Sequence, residues 1–197
     1  MKERPIIIGA ESVRAILEGR KTQTRRVVKD SFLFRFDDLP RFWGQDKYLK
    51  KRMLEEGQFQ VGDRLWVRET AIISPKNFDD KRFCNSTDNE GDARIVQYLA
   101  TNPCTDGAKN YGLKPKSPLF MPRWASRITL EIADIRVERL QDITGEDALK
   151  EGFCNYGTDV DTLDAFCEAW QKLNAKRSYP WENNDWVWVI TFKVVQS

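Results

Sequence analysis

Lys21 and Thr24 stand three residues apart in Gly19-Arg20-Lys21-Thr22-Gln23-Thr24-Arg25-Arg26, where a predicted helix passes into a predicted strand. A lysine amine within reach of a threonine hydroxyl can activate that oxygen as a nucleophile without help from histidine. The amine must be neutral to take the proton, and burial beside Arg20, Arg25 and Arg26 pushes it that way. The same residues also make a basic turn able to clamp a phosphate with no chemistry at all. Spacing alone leaves the two readings open. In strand geometry Thr22, Thr24 and Arg26 share one face while Gln23 and Arg25 take the other. Lys21 therefore reaches Thr24 only if it belongs to the turn. Glu151 is the second unusual placement, a carboxylate in the last turn of its predicted helix, where the helix dipole disfavours negative charge. An exposed surface tolerates this; so does a site that moves protons.

The wider composition narrows the chemistry. Among 197 residues there are 32 Lys or Arg, 30 Asp or Glu and no His, giving a net charge of +2. Without histidine, Ser-His-Asp triads, Cys-His dyads and HExxH metal sites are excluded. The four cysteines, Cys84, Cys104, Cys154 and Cys167, show no CxxC spacing and read as reduced thiols of a cytoplasmic protein; no metal and no cofactor is expected. The opening apolar run is too short for a signal-peptide core, and no run approaches the ~20 residues that span a bilayer. Basic residues concentrate at Arg20–Arg26 and again at Lys47, Lys50, Lys51 and Arg52, whereas acids dominate residues 131–151. A confined basic patch on a nearly neutral chain suits a confined anionic ligand better than long duplex tracking. The second cluster reads equally well as a solvated helix face.

The elements that must position these residues follow from periodicity. Residues 5–8 read as a short buried strand and 11–18 as a helix closed by Gly19; 22–28 returns to β-branched composition. Residues 29–60 break the pattern with aromatics interleaved among basic residues, including Trp43, and hold a short predicted helix at 47–55. Residues 64–69 alternate as a strand. Residues 73–118 are rich in Asn, Asp, Gly, Pro and Lys and read as a long functional or mobile loop. Ile128, Leu130 and Ile132 alternate on one face, with a phase shift near Ala133-Asp134 that is a bulge signature. Thr144 with Asp147 resembles a capping box that opens a helix ending at Gly152. Residues 161–173 form a clearer helix with Leu163, Phe166, Trp170 and Leu173 on one stripe, and 186–195 a strand apolar on both faces, hence central. Strands outnumber the short helices. The fold class is α+β, a small mixed β-barrel with helices plugging its ends: one domain over 1–197 with insertions at about 29–60 and 73–118.

The stretch Ala15-Ile16-Leu17-Glu18-Gly19-Arg20-Lys21-Thr22-Gln23-Thr24-Arg25-Arg26 resembles the signature of the ASCH domain, a PUA-like β-barrel family. Val61-Gly62-Asp63-Arg64-Leu65-Trp66-Val67-Arg68-Glu69, the strand at 127–137, Leu140-Gln141-Asp142-Ile143, Glu146-Asp147-Ala148, Glu151-Gly152 and the Trp-rich final strand are similar to it in order. Met121-Pro122-Arg123-Trp124-Ala125-Ser126-Arg127 resembles the larger members found in bacteriophages and prophages. The family includes small amidohydrolases that remove the acetyl group of N4-acetylcytidine. That resemblance implies Lys21 as base, Thr24 as nucleophile and Glu151 as proton carrier. It equally implies a non-catalytic reader of RNA or a modified base, or a metal-independent ribonuclease. In a reader, Arg25, Arg26, Arg123 and Arg127 hold phosphates and Trp66 or Trp124 stacks a base, with Arg20, Arg68 and Glu69 also in the candidate site. A third class is a phage assembly or host-interaction protein using the insertions as its interface. The expected partner is a nucleoside or RNA, not a membrane.

Overall fold

The computed structural model describes residues 1–36, 45–74, 96–153 and 161–195. Along the chain run β1 (Glu3–Ile7), α1 (Ala10–Leu17), β2 (Gln23–Val27), α2 (Asp30–Leu33), α3 (Gln45–Glu56), β3 (Arg64–Arg68), β4 (Ala71–Ile73), β5 (Val96–Tyr98), α4 (Asp106–Asn110), β6 (Thr129–Arg139), α5 (Gly145–Lys150), α6 (Thr162–Asn174) and β7 (Trp186–Val195), joined partly by single 3-10 turns. The arrangement is α+β, with mostly antiparallel strands and short helices. The chain divides into two units, each assembled from separate stretches: Glu18–Asp63 with Glu131–Lys193, and Lys2–Leu17 with Arg64–Leu130.

In the first unit β6, β7 and β2 lie side by side in that order. β2 runs antiparallel to β7, pairing Thr24 with Ile190, Arg25 with Val189 and Val27 with Val187. Both faces of β7 are apolar because both are covered. On one face Val187 and Val189 pack with Leu140, Ile143, Ala148, Phe166 and Trp170 from the α5–α6 layer. Trp188, placed on the other face by alternation, meets the rings of Phe32 and Phe59 at centroid distances of 5.9 and 6.3 Å. Helix α6 is capped by Asp161, whose side chain accepts from the Leu163 N–H. Phe166 and Trp170 are buried as expected, but Leu173 is 65% exposed: the apolar stripe ends one turn before the helix does. On α3, Lys51 and Arg52 pair with Glu55 and Glu56 one turn on, which makes the second basic cluster mostly a solvated face. Lys50 instead lies over the Trp186 ring. β6 is continuous, yet its burial pattern changes phase at Ala133 and Asp134, which are both exposed.

In the second unit β1 runs parallel to β3, from Glu3 opposite Arg64 to Ile7 opposite Arg68. β4 and β5 form a separate antiparallel pair, Ala71 opposite Tyr98 and Ile73 opposite Val96, closed over Met121 and Ala125. The aperiodic stretch 73–118 thus contributes a strand and the five-residue α4 to this unit, elements too short for any repeat in the sequence to register. Trp43, Cys84 and Cys154 lie outside the described residues. Cys104 and Cys167 are free thiols. Among the described residues no helix is long and apolar enough to cross a membrane.

Candidate functional site

The site in the first unit is built around the C-terminal end of α5. Thr144 opens this helix, its hydroxyl accepting from the Asp147 N–H at 3.1 Å. Six residues cannot satisfy their own last carbonyls, so the end needs donors from elsewhere. Three consecutive residues of the basic turn supply them. The Thr22 N–H donates to Lys150 O at 2.9 Å, Lys21 Nζ to Glu151 O at 2.7 Å, and Arg20 Nη1 to Gly152 O at 2.9 Å. Gly19 and Gly152 both take the left-handed conformation (φ 73° and 92°) that lets the two segments turn against each other. Cations at a helix C-terminus also meet the negative end of its dipole.

The Lys21 amine binds the Glu151 side chain as well. Nζ lies 2.6 Å from Oε2, with the two side chains 3% and 4% exposed, although 130 residues separate them. Burial lowers the proton affinity of Lys21, and Arg26 and Arg25 push the same way; Glu151 opposes them, and the net displacement is downward. The other Glu151 oxygen, Oε1, accepts from Arg25 Nη1 at 3.3 Å. Arg25 is itself enclosed: Nη2 donates to Glu138 Oε1 and to Asp147 Oδ2 at 3.1 Å, and its guanidinium lies over the Phe166 ring. Arg136 continues the chain, holding both Asp147 oxygens at 2.9 and 3.0 Å and Glu138 Oε2 at 2.9 Å. Gln23 bridges them, accepting from Arg136 and donating to Asp147. Burial works against the charged Asp147 carboxyl, but Arg136 and Arg25 outweigh it and hold the group below the ordinary range.

Of the sequence candidates, Lys21 and Glu151 are therefore brought together directly. Thr24 is buried on the opposite face of β2 from Gln23 and Arg25, and no side-chain hydrogen bond among the described residues joins it to Lys21 or Glu151. Arg26 shares the Thr24 face by alternation, and it is coupled electrostatically to Glu151 and to Arg177. Arg25, a candidate phosphate ligand from sequence, is engaged by Glu138, Asp147 and Glu151 with its side chain 1% exposed.

The remaining candidates lie in the second unit. Trp66 is buried, with Arg68 at 4.6 Å and Arg123 at 5.9 Å from its ring centroid. A base-stacking ring needs an open face, and this one is largely covered by its own cations. Arg68 Nη1 reaches Leu119 O at 3.1 Å, and Arg123 Nη2 reaches Glu3 at 2.6 Å. Trp124 packs against the Met121–Ala125 cluster. Arg127 forks onto the buried Glu69 carboxylate at 2.9 and 3.0 Å, lies over Tyr98 and donates to Thr101.

No protein-family model matches the chain, and no curated protein matches it. Among solved structures it is similar to an ASCH domain from Lactobacillus crispatus JV V101, at 12% identity with a TM-score of 0.42, over the whole of this chain and 81% of that one.

Sequence reasoning missed Glu138, Arg136, Asp147 and Gln23 as members of the site. Its signal was present: the basic run at 20–26 and the acidic run at 131–151 are complementary, and the structure neutralises one with the other.

Proposed function

We propose that this chain is a PUA-like ASCH protein that hydrolyses the amide of an N4-acylated cytidine, with Lys21, Thr24 and Glu151 as its reacting groups. The observation that carries this reading is the buried amine–carboxylate pair of Lys21 and Glu151, 2.6 Å apart at the entry to the strand that bears Thr24. A paired ammonium and carboxylate in a dry environment can exchange one proton between them, leaving a neutral amine beside a carboxylic acid. In the proposed reaction the neutral Lys21 takes the Thr24 hydroxyl proton as Oγ1 attacks the amide carbonyl. The resulting oxyanion is held by Arg26 or backbone N–H groups. Collapse breaks the C–N4 bond, and N4 leaves as the free amine of cytidine after receiving a proton from the Lys21–Glu151 pair. Water then attacks the acyl-threonine ester, releasing acetate and returning the proton. Substrate binding must bring Thr24 and Lys21 into line, since the free protein does not hydrogen-bond them to each other.

Acetate release from N4-acetylcytidine tests the reading. Thr24→Ala is expected to reduce kcat/KM by about a thousandfold or more with circular dichroism unchanged, and Thr24→Ser to restore part of it. A wild-type protein that releases no acetate, or a Thr24→Ala protein as active as wild type, overturns it.

A second reading, an RNA or modified-base reader, is favoured by the exposed Leu119 and Phe120 side chains beside Arg68, whose Nη1 donates to Leu119 O. It predicts that Thr24→Ala binds short RNAs normally while Arg26→Ala or Arg123→Ala weakens binding and flattens its dependence on salt.

A further inference from the structure

The Glu151 carboxylate is shared between two cations, one on each oxygen: Lys21 Nζ on Oε2 at 2.6 Å and Arg25 Nη1 on Oε1 at 3.3 Å. A glutamate side chain pinned through one oxygen can still rotate about its terminal torsion; pinned through both, it cannot. Arg25 is in turn fixed by groups that play no part in the reaction proposed above. Glu138 on β6 and Asp147 on α5 take its other nitrogen, and Arg136 and Gln23 hold those two carboxylates in place. The consequence is a chain of ion pairs running from the half-exposed Arg136 inward to the fully buried Lys21.

We propose that Arg25 is a positioning residue: braced by Glu138 and Asp147, it turns the Glu151 carboxylate so that Oε2 stays on the Lys21 amine. This deepens the hydrolase reading and rests on it for its catalytic meaning, because Glu151 can trade a proton only with an amine it faces. The charged groups acting on Lys21 are Glu151 from the end of α5 and Arg25 and Arg26 from β2; Glu138 on β6 and Asp147 on α5 pair with Arg25, Arg136 on β6 pairs with Asp147, and Arg177 acts on Arg26.

The sign of one titration decides whether Arg25 positions Glu151 or is merely a nearby charge. Of the charges acting on Lys21, Glu151 pulls its proton affinity up more strongly than Arg25 pushes it down. If Arg25 positions the carboxylate, removing it lets Glu151 rotate away and Lys21 loses its main attraction. If Arg25 only repels, removing it relieves Lys21. The experiment is nitrogen-15 NMR of the lysine side-chain amines in the full chain, with the Lys21 signal assigned by its loss in Lys21→Arg, for wild type, Arg25→Gln, Arg25→Lys and Glu138→Gln. The proposal predicts that the Lys21 midpoint falls by about one pH unit in Arg25→Gln, less in Glu138→Gln, and least in Arg25→Lys. A midpoint that rises or stays put overturns it. Where Arg25→Gln does not fold, Arg25→Lys, which keeps the positive charge but not the fork, decides the question: a lowered midpoint supports positioning and an unchanged one overturns it. In parallel, kcat for N4-acetylcytidine is expected to fall about a hundredfold in Arg25→Gln with little change in KM. Absence of turnover in the wild type ends the hydrolase reading and leaves the titration to judge Arg25 alone.

Discussion

Arg127 and Glu69 in the second unit show how burial decides what a single side chain contributes. Glu69 is 2% exposed and receives both arms of the Arg127 guanidinium, whereas the Arg127 side chain keeps 24% of its surface and rests on Tyr98. Removing the arginine strands a carboxylate where water does not reach, and removing the carboxylate leaves a guanidinium that can still turn outward. Arg127→Ala is therefore expected to lose about 3 kcal/mol, with Glu69→Gln losing clearly less; urea unfolding of the two variants measures the difference, and equal losses would show that burial is not the cause. The Lys21–Glu151 pair obeys the same rule but was harder to read from the chain. The sequence marks each residue as odd, an amine in a run of arginines and a carboxylate at a helix end. Nothing in periodicity joins positions 130 apart. What joins them is the shortage of donors at the end of α5, a three-dimensional requirement filled by the turn at 20–22.

Elements with a repeat long enough to show itself were legible, and those without one were not. The doubly apolar β7, the Thr144 cap and the glycine after α1 all declare themselves locally, because each is set by residues within a few positions of one another. β5, with three residues, and α4, with five, complete no repeat and are held by partners far along the chain, β5 by β4 and Ala108 of α4 by Ile72. Leu173 fits the stripe of α6 by spacing and is exposed because the layer beneath it has ended. A close approach is equally invisible to pattern. At Gly57, just past α3, a Cβ would sit 2.5 Å from Trp188 Cη2 and 2.6 Å from the Met53 carbonyl oxygen. A side chain could give way, but the carbonyl belongs to the helix and the indole is wedged between Phe32 and Phe59. Gly57→Ala, elsewhere a mild change, is expected to cost about 1–3 kcal/mol by overpacking. Thermal melts would read this as a lowered Tm, and an unchanged Tm would show that α3 can lift away freely.

At the scale of the whole molecule, a net charge of +2 hides how unevenly the charges are used. The first unit places Arg25, Arg136 and Lys21 against Glu138, Asp147 and Glu151 in a largely dry setting, so its stability depends on protonation in a way the count does not suggest. Within this network the Asp147 carboxyl and the Lys21 amine have displaced proton affinities that bear on the acid and alkaline ends. The Asp147 carboxyl is lowered in the fold, so near neutral pH it is ionised whether the chain is folded or not, and there its ion pairs contribute fully. As pH falls below the ordinary aspartate range the unfolded chain takes up the proton first, and stability drops until the folded carboxyl is protonated as well. Lys21 is also lowered, and it acts at the alkaline end: between its folded value and the ordinary 10.5 the unfolded chain again holds more protons. Stability attributable to this residue therefore rises with pH across that window, the reverse of what a solvated lysine ion pair gives. The urea midpoint measured from acid to alkaline pH is expected to climb out of the acid range and to carry a second upward component before pH 10.5. Asp147→Asn should flatten the acid limb alone, since it removes the titrating carboxyl while keeping an acceptor for Arg136 and Arg25. Lys21→Arg, which keeps the cation without a proton to lose in that range, should remove the alkaline component alone. An acid limb that survives Asp147→Asn would assign the dependence to other carboxylates and detach Asp147 from the stability of the network.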